Sequence, residues 1–491
     1  MSKLLLGIDI GTSACKVAVF DENGQVLASA TESYSLYYPN PGWVEQDPDE
    51  WWQAICTATK KVTEGIAENI VGIGIDSQSW SEIPVDKDGN CLHNSPIWMD
   101  TRSREITDRL KMTLGEEHIF NVAGNGVEPA YTTPKMIWFK ENVPEVYNKT
   151  YKFLQSNSYI ALKLTGVMSQ DISQGYGIHF FDQEKLRYDE SLAKEMGLST
   201  DLLMEPVACH EVVGKVTKEA AALTGLMEGT PVVAGGLDAA CGTLGAGVYK
   251  PGQTQEQGGQ AGGMSICTDK ALAHPKLILS THVIPGLWLL QGGTVGGGGV
   301  LRWFKQELAK DGESFDDITA LAETIAPGSE GVLFLPYMAG ERSPIWNPDA
   351  KAVFYGLSFS KTRAHMARAA LESVAFSLEH NMRTARAVNA EVNDLVAMGG
   401  AANSLLWTQI KADVTGKKII VPSSDTATTL GAAILAGVGV GVYGGFEEAV
   451  KKTVVLTREH EPSMENHEIY KGCVDAYLRL YEQLKDFYHT Y

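Results

Sequence analysis

The N-terminal segment LLLGIDIGTSACKVAVFDENGQVLASAT, residues 4–31, constrains the fold more than any other part of the sequence. Its apolar runs at 4–10, 14–21 and 26–31 are separated by short turns, a pattern that predicts three strands in a β-meander. A strand rather than a helix follows the first glycine turn, which excludes a dinucleotide-binding fingerprint. The sequence also contains no GxxxxGKS/T phosphate loop.

The first turn of this meander has the composition of a phosphate-binding turn. Gly11, Thr12 and Ser13 offer backbone N–H groups and two hydroxyls, which together can form an anion-binding nest. Asp9 precedes the turn, where a carboxylate can hold a phosphate-bound magnesium ion through water. Lys16 lies on the outgoing strand and either reaches a β- or γ-phosphate or faces solvent. An ordinary hairpin turn is the alternative, and the stretch alone does not decide between them.

The first helix is predicted in DPDEWWQAICTATKKVTEGI, residues 47–66. Asp47 can cap it and Pro48 suits its first turn. The apolar residues recur at helical spacing and are Trp51, Ile55, Ala58, Val62 and Ile66.

Two later apolar segments, 71–76 and 230–238, are predicted strands that each end in an aspartate, Asp76 and Asp238. Small residues follow Asp238 and permit close backbone approach. This aspartate either acts in a cleft that it shares with Asp9 or caps a helix.

A chain of 491 residues exceeds what one hydrophobic core usually serves. Glycine density rises after KPGQ at 250–253, so we predict a boundary near residue 252, between domains 1–252 and 253–491. Each half has a meander-like series of strands and then helices, which suggests a weak internal duplication around a cleft.

The net charge of -19 argues against nucleic acid or an anionic membrane as the main partner. A small-molecule substrate fits better. The seven cysteines are scattered without metal-ligand spacing, which favours a reducing compartment. No apolar run reaches the roughly eighteen residues of a membrane span, so the expected location is cytoplasmic.

Several blocks in order resemble those of the FGGY-family carbohydrate kinases. Residues 352–372, AVFYGLSFSKTRAHMARAALE, fit the family's second signature at each specified position. Residues 131–142, YTTPKMIWFKEN, resemble the first signature, although Ala130 stands where Gly, Ser or an aromatic residue is expected. LPYMAGERSP at 335–344 and MGGAANSLLWTQIKADVTG at 398–416 match further blocks.

This resemblance implies an α/β fold of two actin-like, ribonuclease H-like domains flanking a central catalytic cleft. Sugar would bind mainly to the first domain and ATP mainly to the second. The implied magnesium ligands are Asp9 and Asp238. The implied ATP-binding residues are Gly11, Thr12, Ser13, Lys16, Gly259, Gly293, Thr294, Gly297, Gly400, Ala401 and Asn403.

Asp238 falls on the family's catalytic aspartate, which accepts the proton of the sugar hydroxyl while that oxygen attacks the γ-phosphorus. Domain closure would exclude water and so limit ATP hydrolysis. Where many relatives carry Gly-Thr-Ser in the second-domain hairpin, this chain has Gly259-Gln260-Ala261. A hydroxyl near the phosphates is therefore missing.

The segment PNPGWVEQDPDEWW at 39–52 looks most like the xylulokinase branch of the family, which makes D-xylulose the leading acceptor and xylulose 5-phosphate the product. The implied substrate-binding residues are Gln78, Ser79, Trp80, Trp98, Asp100, Arg102 and Asp238. Core packing is the alternative for Trp98. In that branch the substrate strand typically reads Gln-Met-His-Gly, whereas here it reads Gln-Ser-Trp-Ser. This change falls where the sugar should lie and could redirect specificity.

Three alternatives stay open. The acceptor could be another ketose or a polyol, of the ribulose, fuculose, glycerol or erythritol type. The chain could instead be a degenerate kinase that acts as a nucleotide- or sugar-binding sensor. A nucleotide-dependent binding module of the actin/Hsp70 type is the third alternative, and the signature helix and Asp238 argue against it. Homodimers are frequent in the family, but no stretch here identifies an interface.

Overall fold

The computed structural model describes residues 3–423 and 426–490. Within them the strands, β1 to β24 in chain order, are Leu4–Ile10, Ala14–Phe20, Val26–Ser33, Glu45–Gln46, Ile70–Ser77, Ile83–Val85, Ser95–Pro96, Lys152–Leu154, Gln170–Asp171, Phe181–Asp182, Arg187–Tyr188, Pro206–Val207, Val212–Lys215, Pro231–Val233, Gly236–Leu237, Gln253–Gly258, Gly262–Thr268, Ile278–Thr281, Trp288–Thr294, Leu333–Leu335, Val353–Tyr355, Asp394–Met398, Lys418–Pro422 and Leu456–His460.

The helices of the same residues, α1 to α16, are Pro48–Thr63, Arg104–Leu114, Glu116–Ala123, Thr132–Asn142, Pro144–Tyr147, Ser156–Thr165, Glu190–Glu195, Lys218–Thr224, Asp238–Gly245, Gly298–Leu308, Phe315–Glu323, Arg363–Arg386, Leu405–Thr415, Ala427–Gly439, Phe446–Thr453 and Met464–Leu484. Among them no helix is long and apolar enough to cross a bilayer.

The first large sheet has the strand order β13-β14-β5-β1-β2-β3, and β15 also pairs with β5. Strands β1, β2 and β3 are antiparallel neighbours, so the predicted meander is confirmed. β5 lies parallel to β1 on its other side. In this register Asp9 lies beside both Lys16 on β2 and Asp76 on β5.

Helix α1 begins as predicted. The Asp47 carboxylate accepts a hydrogen bond from the Asp49 N–H at 2.9 Å, and Pro48 occupies the first turn. The helix packs against β2 and β3 through its buried stripe, which includes Trp51, Ile55, Ala58 and Val62.

The single strand predicted at 230–238 is wrong in detail, because the chain forms two short strands there, β14 and β15. Gly235 separates them with a φ of +76°. A Cβ at this position would lie 2.0 Å from the carbonyl oxygen of Ile75, so only glycine lets the chain cross β5 this closely. Helix α9 then begins at Asp238.

The second large sheet has the order β18-β19-β17-β16-β22-β23-β24. Its central hairpin β16–β17 is antiparallel, and β22 lies parallel to β16. This repeats the arrangement of β1, β2 and β5 and agrees with the predicted internal duplication.

Helix α14, from the second half of the chain, packs on the first sheet. A Cβ at Gly7 on β1 would lie 2.1 Å from the Thr429 carbonyl oxygen, and one at Gly74 on β5 would lie 1.9 Å from that of Ala432. α14 also crosses α9 closely at Gly431, where a Cβ would meet the Cys241 carbonyl oxygen at 1.9 Å. The division near residue 252 falls between α9 and β16 and stays a prediction. Helix α14, which follows this division, nevertheless packs on β1, β5 and α9, which precede it.

Candidate active site

Three carboxyl groups meet where β1, β5 and β15 end. Asp9 and Asp76 are register neighbours, and Asp76 is also paired with Gly236, two residues before Asp238. Asp238 is the first residue of α9 rather than its N-cap, and its carboxylate accepts a hydrogen bond from the Ala239 N–H at 2.6 Å. The predicted pair Asp9 and Asp238 is therefore brought to one place, together with Asp76.

Burial and mutual repulsion shift the protonation of this carboxylate cluster, Asp9, Asp76 and Asp238. Burial, and then the charge of Asp9, raise the pKa of Asp238 to about 7. Burial and both neighbouring carboxylates raise the pKa of Asp76 well above its usual value. Burial also raises the pKa of Asp9, although a hydrogen bond with Asp76, one from the Thr428 hydroxyl at 3.1 Å and the charge of Lys16 oppose it. Such a site contains a base whose pKa is close to neutral pH, and its clustered negative charge favours the binding of a cation.

The carboxylate cluster fits magnesium by its donor chemistry. Both carboxylate oxygens of Asp76 are buried, and within the described residues no amide, hydroxyl or ammonium group donates to them; Asp76 shares a hydrogen bond with the Asp9 carboxyl group instead. Among residues 3–423 and 426–490 no group of three or more His, Cys, Asp or Glu side chains forms a preassembled metal cage. Magnesium commonly takes only one or two carboxylates and completes its shell with water and phosphate oxygens, so the two observations agree.

The Gly11–Ser13 turn is fixed from several sides. The Gly11 carbonyl accepts a hydrogen bond from the Tyr34 hydroxyl, and the Thr12 carbonyl accepts one from the Gln46 side chain at 2.8 Å. The Thr12 hydroxyl accepts one from the Trp98 indole at 3.0 Å. Trp98 is 41% exposed, so it is not a core residue. These contacts preorganise the turn and bring the predicted phosphate and sugar residues together.

Trp80 has a rare backbone conformation, and its ring is closely packed by neighbouring residues. Its φ is +57°, which is rare for a bulky residue. Its ring contacts Tyr131 and Tyr176 at centroid distances of 4.3 and 5.3 Å. A Cβ at Gly177 would lie 2.3 Å from the ring. The indole N–H is buried and has no acceptor among the described residues, which leaves an unsatisfied donor at this position.

The two residues before Trp80 connect it to the rest of the site. The Gln78 side chain donates to Gln46 at 2.7 Å, and Gln46 in turn donates to the Thr12 carbonyl. The Ser79 hydroxyl is hydrogen-bonded to Tyr176 and thereby lowers the pKa of that phenol, against the larger opposing effect of burial. Residues 78–80, which follow β5, and the Gly11–Ser13 turn thus belong to one hydrogen-bonded unit.

Lys135, which sequence reasoning missed, ties the two predicted sugar segments together. Its ammonium donates to the carbonyls of Trp80 at 2.6 Å and Ile97 at 2.8 Å. The side chain is fully buried, and burial lowers its pKa to about 7. The available signal was the lysine of the first signature block, YTTPK. Asp76 was also missed as a site residue, although its place at a strand end was recognised.

Asp100 and Arg102 form a buried ion pair. Asp100 accepts hydrogen bonds from the Val44 N–H at 2.7 Å and from the Arg102 guanidinium at 2.8 Å. The guanidinium also pairs with Glu45 at 2.7 Å, and its carbon lies 4.0 Å from the Trp43 ring centroid. Both side chains are buried, so their charged groups anchor the loop that carries Trp98 rather than line an open surface.

A cavity of about 400 Å³ lies in the second half, between the β16–β17 turn, the start of α10 and one face of α11. Of the predicted ATP-binding residues, those that line it are Gly259, Gly400, Ala401 and Asn403. Gln260 also lines it, and its carbonyl accepts a hydrogen bond from the Gly299 N–H at 3.0 Å.

The glycine-rich segment 292–299 runs beside this cavity. Gly297 packs on the β16–β17 turn, where its Cβ would lie 2.3 Å from the Ala261 carbonyl carbon. The Gly293 N–H donates to the Ser343 hydroxyl at 2.7 Å, and the buried Thr294 hydroxyl donates to the Gly296 carbonyl at 3.2 Å. The segment is therefore a packed, hydrogen-bonded element.

Comparison with known proteins places this arrangement in a family. The model of the N-terminal domain of the FGGY family of carbohydrate kinases matches residues 4–245, and that of the C-terminal domain matches residues 264–440. A xylulose kinase from Bacillus subtilis is 31% identical over 99% of this chain and 98% of its own length. A gluconokinase from the same species is 30% identical over 99% and 97%.

Solved structures agree. The crystal structure of xylulose kinase from Rhodospirillum rubrum has a TM-score of 0.93 at 29% identity, covering 99% of this chain and 100% of that one. The gluconate kinase from Lactobacillus acidophilus also has a TM-score of 0.93, at 25% identity, covering 100% of both chains. The predicted fold class is confirmed. Relatives named for xylulose and for gluconate are about equally similar to this chain.

Proposed function

Because this chain belongs to the FGGY family of carbohydrate kinases, which use ATP, we propose that it transfers the γ-phosphate of ATP to a hydroxyl of a ketose, with D-xylulose as the leading acceptor and xylulose 5-phosphate as the product. The observation that carries this proposal is Asp238, a carboxyl group with a pKa of about 7 beside the acceptor strand. Its charge acts on Tyr176, which contacts Trp80.

In the proposed reaction the acceptor hydroxyl oxygen bonds to the γ-phosphorus while the bond from that phosphorus to the bridging oxygen of ADP breaks. The hydroxyl proton passes to the Asp238 carboxylate, which suits a base of raised pKa. The products are the sugar phosphate and ADP, and the proton later leaves Asp238 for solvent. Asp238 is held for this role by its place at the start of α9.

Asp9 and Asp238 would hold magnesium, with Asp76 adjoining them. When bound there, magnesium supplies charge neutralisation to the ATP phosphates. The residues that we propose to contact ATP are those predicted above, from the Gly11–Ser13 turn and Lys16 to the second-half glycines. The cavity beside Gly259, Gly400, Ala401 and Asn403 supports the second group.

We propose direct sugar contacts for Gln78, Ser79, Trp80 and Trp98. The buried indole N–H of Trp80 and the half-exposed ring of Trp98 support these contacts. For Asp100 and Arg102 we propose an indirect role, since Arg102 forms ion pairs with both Asp100 and Glu45. They would fix the loop that presents Trp98 to the acceptor.

Gluconate is the second candidate acceptor. The gluconokinase of B. subtilis is nearly as similar to this chain as the xylulose kinase of that species. Trp80, a pure hydrogen-bond donor, also stands where the xylulokinase pattern has histidine, and a donor suits a carboxylate or carbonyl oxygen.

ADP release measured across a panel tests the proposal. The panel holds xylulose, ribulose, fuculose, gluconate, glycerol and erythritol, each with ATP and magnesium. We expect sugar-dependent release with the highest kcat/KM for xylulose. A far higher value for another acceptor would make xylulose wrong and leave the kinase intact. Silence across the panel would instead favour a non-catalytic sensor.

A further inference from the structure

The loop that contains Arg342 is bound tightly to the second-half glycine segment. The Ser343 hydroxyl accepts a hydrogen bond from the Gly293 N–H at 2.7 Å and donates one to the Gly293 carbonyl at 3.1 Å. The Glu341 carboxylate accepts one from the Val295 N–H at 2.7 Å. The Asn381 amide donates to the Ser343 carbonyl at 3.1 Å. The backbone of Arg342 is therefore fixed beside the segment that contains the predicted ATP-binding residues Gly293, Thr294 and Gly297.

The guanidinium of Arg342 lies directly over this segment. A Cβ at Gly293 would be 3.0 Å from its central carbon, so the absence of a side chain at 293 makes room for the cation. Arg342 is exposed, and among residues 3–423 and 426–490 its guanidinium has no hydrogen-bond or ion-pair partner. Within the described residues the neighbouring Glu341 forms no ion pair with it, and one oxygen of that carboxylate accepts hydrogen bonds from the backbone N–H groups of Val295 and Arg342.

The same cation faces the acceptor side of the first half. Its charge acts on the phenols of Tyr131 and Tyr176, lowering the pKa of both against the larger effect of burial. These are the two rings that contact Trp80, and Tyr176 also senses the charge of Asp238. Arg342 is thus interposed between the glycine segment on one side and the acceptor strand with its base on the other.

We infer that Arg342 donates hydrogen bonds to the nonbridging oxygens of the phosphoryl group while that group passes from ADP to the acceptor hydroxyl. The inference rests on the proposed kinase function. In this step the acceptor oxygen bonds to the γ-phosphorus, the bond to the bridging oxygen of ADP breaks, and the hydroxyl proton moves to Asp238. Arg342 stays protonated throughout and supplies charge alone.

The chemistry of the two sides explains why a cation is needed at this point. The carboxylate cluster of Asp9, Asp76 and Asp238 repels the negatively charged phosphoryl group. A guanidinium presents a planar fork that matches two phosphoryl oxygens and keeps its charge at all working pH values. Because its loop is hydrogen-bonded on both sides, Arg342 needs little rearrangement to act, which is the condition for efficient electrostatic stabilisation.

The test compares Arg342→Gln, Arg342→Lys and Arg342→Ala with a matched control, Arg479→Gln, which removes an exposed arginine on α16. We expect Arg342→Gln to lower kcat by about 100-fold or more, as for other preorganised donors to a transition state, while ATP binding measured calorimetrically stays near that of the wild type. Arg342→Lys should keep part of the rate. Millimolar guanidinium should restore activity to Arg342→Ala, which a purely structural role would not allow. The control should behave as the wild type.

An active wild type together with an Arg342→Gln variant of unchanged kcat would overturn the inference alone. So would a loss confined to the KM of gluconate with kcat for neutral sugars intact, because Arg342 would then bind the acceptor carboxylate. A wild type that releases no ADP with any sugar would overturn the proposed function, and the inference with it. If Arg342→Gln folds poorly, the guanidinium rescue of Arg342→Ala decides.

Discussion

The central hairpins of the two large sheets, β1–β2 and β16–β17, share one topology and differ in how they treat a buried acid. Asp9 on β1 lies beside two more carboxyl groups, Asp76 and Asp238, and burial raises the pKa of all three. Glu256 on β16 instead pairs with the Lys411 ammonium at 2.6 Å, and both side chains are buried. A duplicated framework thus carries three clustered carboxyl groups near one lysine, Lys16, in one half and one carboxyl group paired with one lysine in the other.

This difference distinguishes acids that serve a ligand from an acid that serves the folded structure. An acid with an internal counterion is satisfied by the fold, whereas acids that repel each other weaken the fold and persist where a ligand uses them. The two turns differ in the same direction, because Gly11–Ser13 carries two hydroxyls and Gly259–Ala261 carries none. In the proposed site the first half therefore contributes the carboxyl groups, and the second half contributes backbone groups, the cavity and Arg342.

The largest expected effect is on the base. Asp238→Asn keeps the shape of the side chain and removes the proton acceptor, so we expect kcat to fall by roughly 10³-fold, within the range of general-base contributions. ATP binding, measured by calorimetry, should change little. Glu256→Gln, which alters the buried acid of the other hairpin, should retain far more of the kcat of its folded fraction. Near-normal turnover by Asp238→Asn would contradict the base assignment.

Replacing a buried acid in each half should change the free energy of unfolding of the protein with opposite signs. Glu256→Gln strands the buried Lys411 charge and should cost about 3–5 kcal/mol of unfolding free energy. Asp76→Asn should stabilise the ligand-free protein at pH 8. The reason is that a raised folded-state pKa makes stability fall as pH rises above the unfolded value of about 3.9, and the amide removes that loss.

Denaturant midpoints at pH 8 measure both variants. The double replacement Glu256→Gln with Lys411→Met is the control and should recover much of the stability, because it removes both charges. Destabilisation of equal size by Asp76→Asn and Glu256→Gln would contradict the proposed difference between the buried acids of the two halves.

The pH profile should report the first-half acid. Since Asp238 must be deprotonated to act and its pKa is about 7, kcat/KM should rise about tenfold per pH unit below that value and then level off. Glu256→Gln should leave the midpoint of this limb in place. A limb with its midpoint near pH 4 would show that Asp238 is not perturbed in the working enzyme.

The smallest expected effect concerns the turn without hydroxyls. Replacing Gln260 by Thr and Ala261 by Ser would give the second hairpin the family's residues. One added hydrogen bond to ATP should lower its KM by about threefold to tenfold with kcat unchanged. Thr12→Ala in the first turn is the matched control and should move the KM the other way. An unchanged KM in the double variant would mean that this turn does not meet the phosphates.

Local patterns predicted the local structure. The meander and the Asp47 cap each depend on neighbouring residues, and both are present as expected. Contacts distant in sequence were out of reach: Lys135 acts on the carbonyls of Trp80 and Ile97, and Thr428 donates to Asp9. The family resemblance implied that Asp100 and Arg102 bind substrate, but a match between sequences contains no information on whether two such side chains face a ligand or pair with each other.

The packing of α14 on β1 and β5 bears on how the chain is made. Residues 4–77 leave the ribosome long before residues 427–439, yet Gly7 and Gly74 are matched to the backbone of that late helix. One face of the first sheet must therefore stay open, or be shielded by a chaperone, until synthesis is almost complete. The earliest strands are among the last parts of the molecule to be finished.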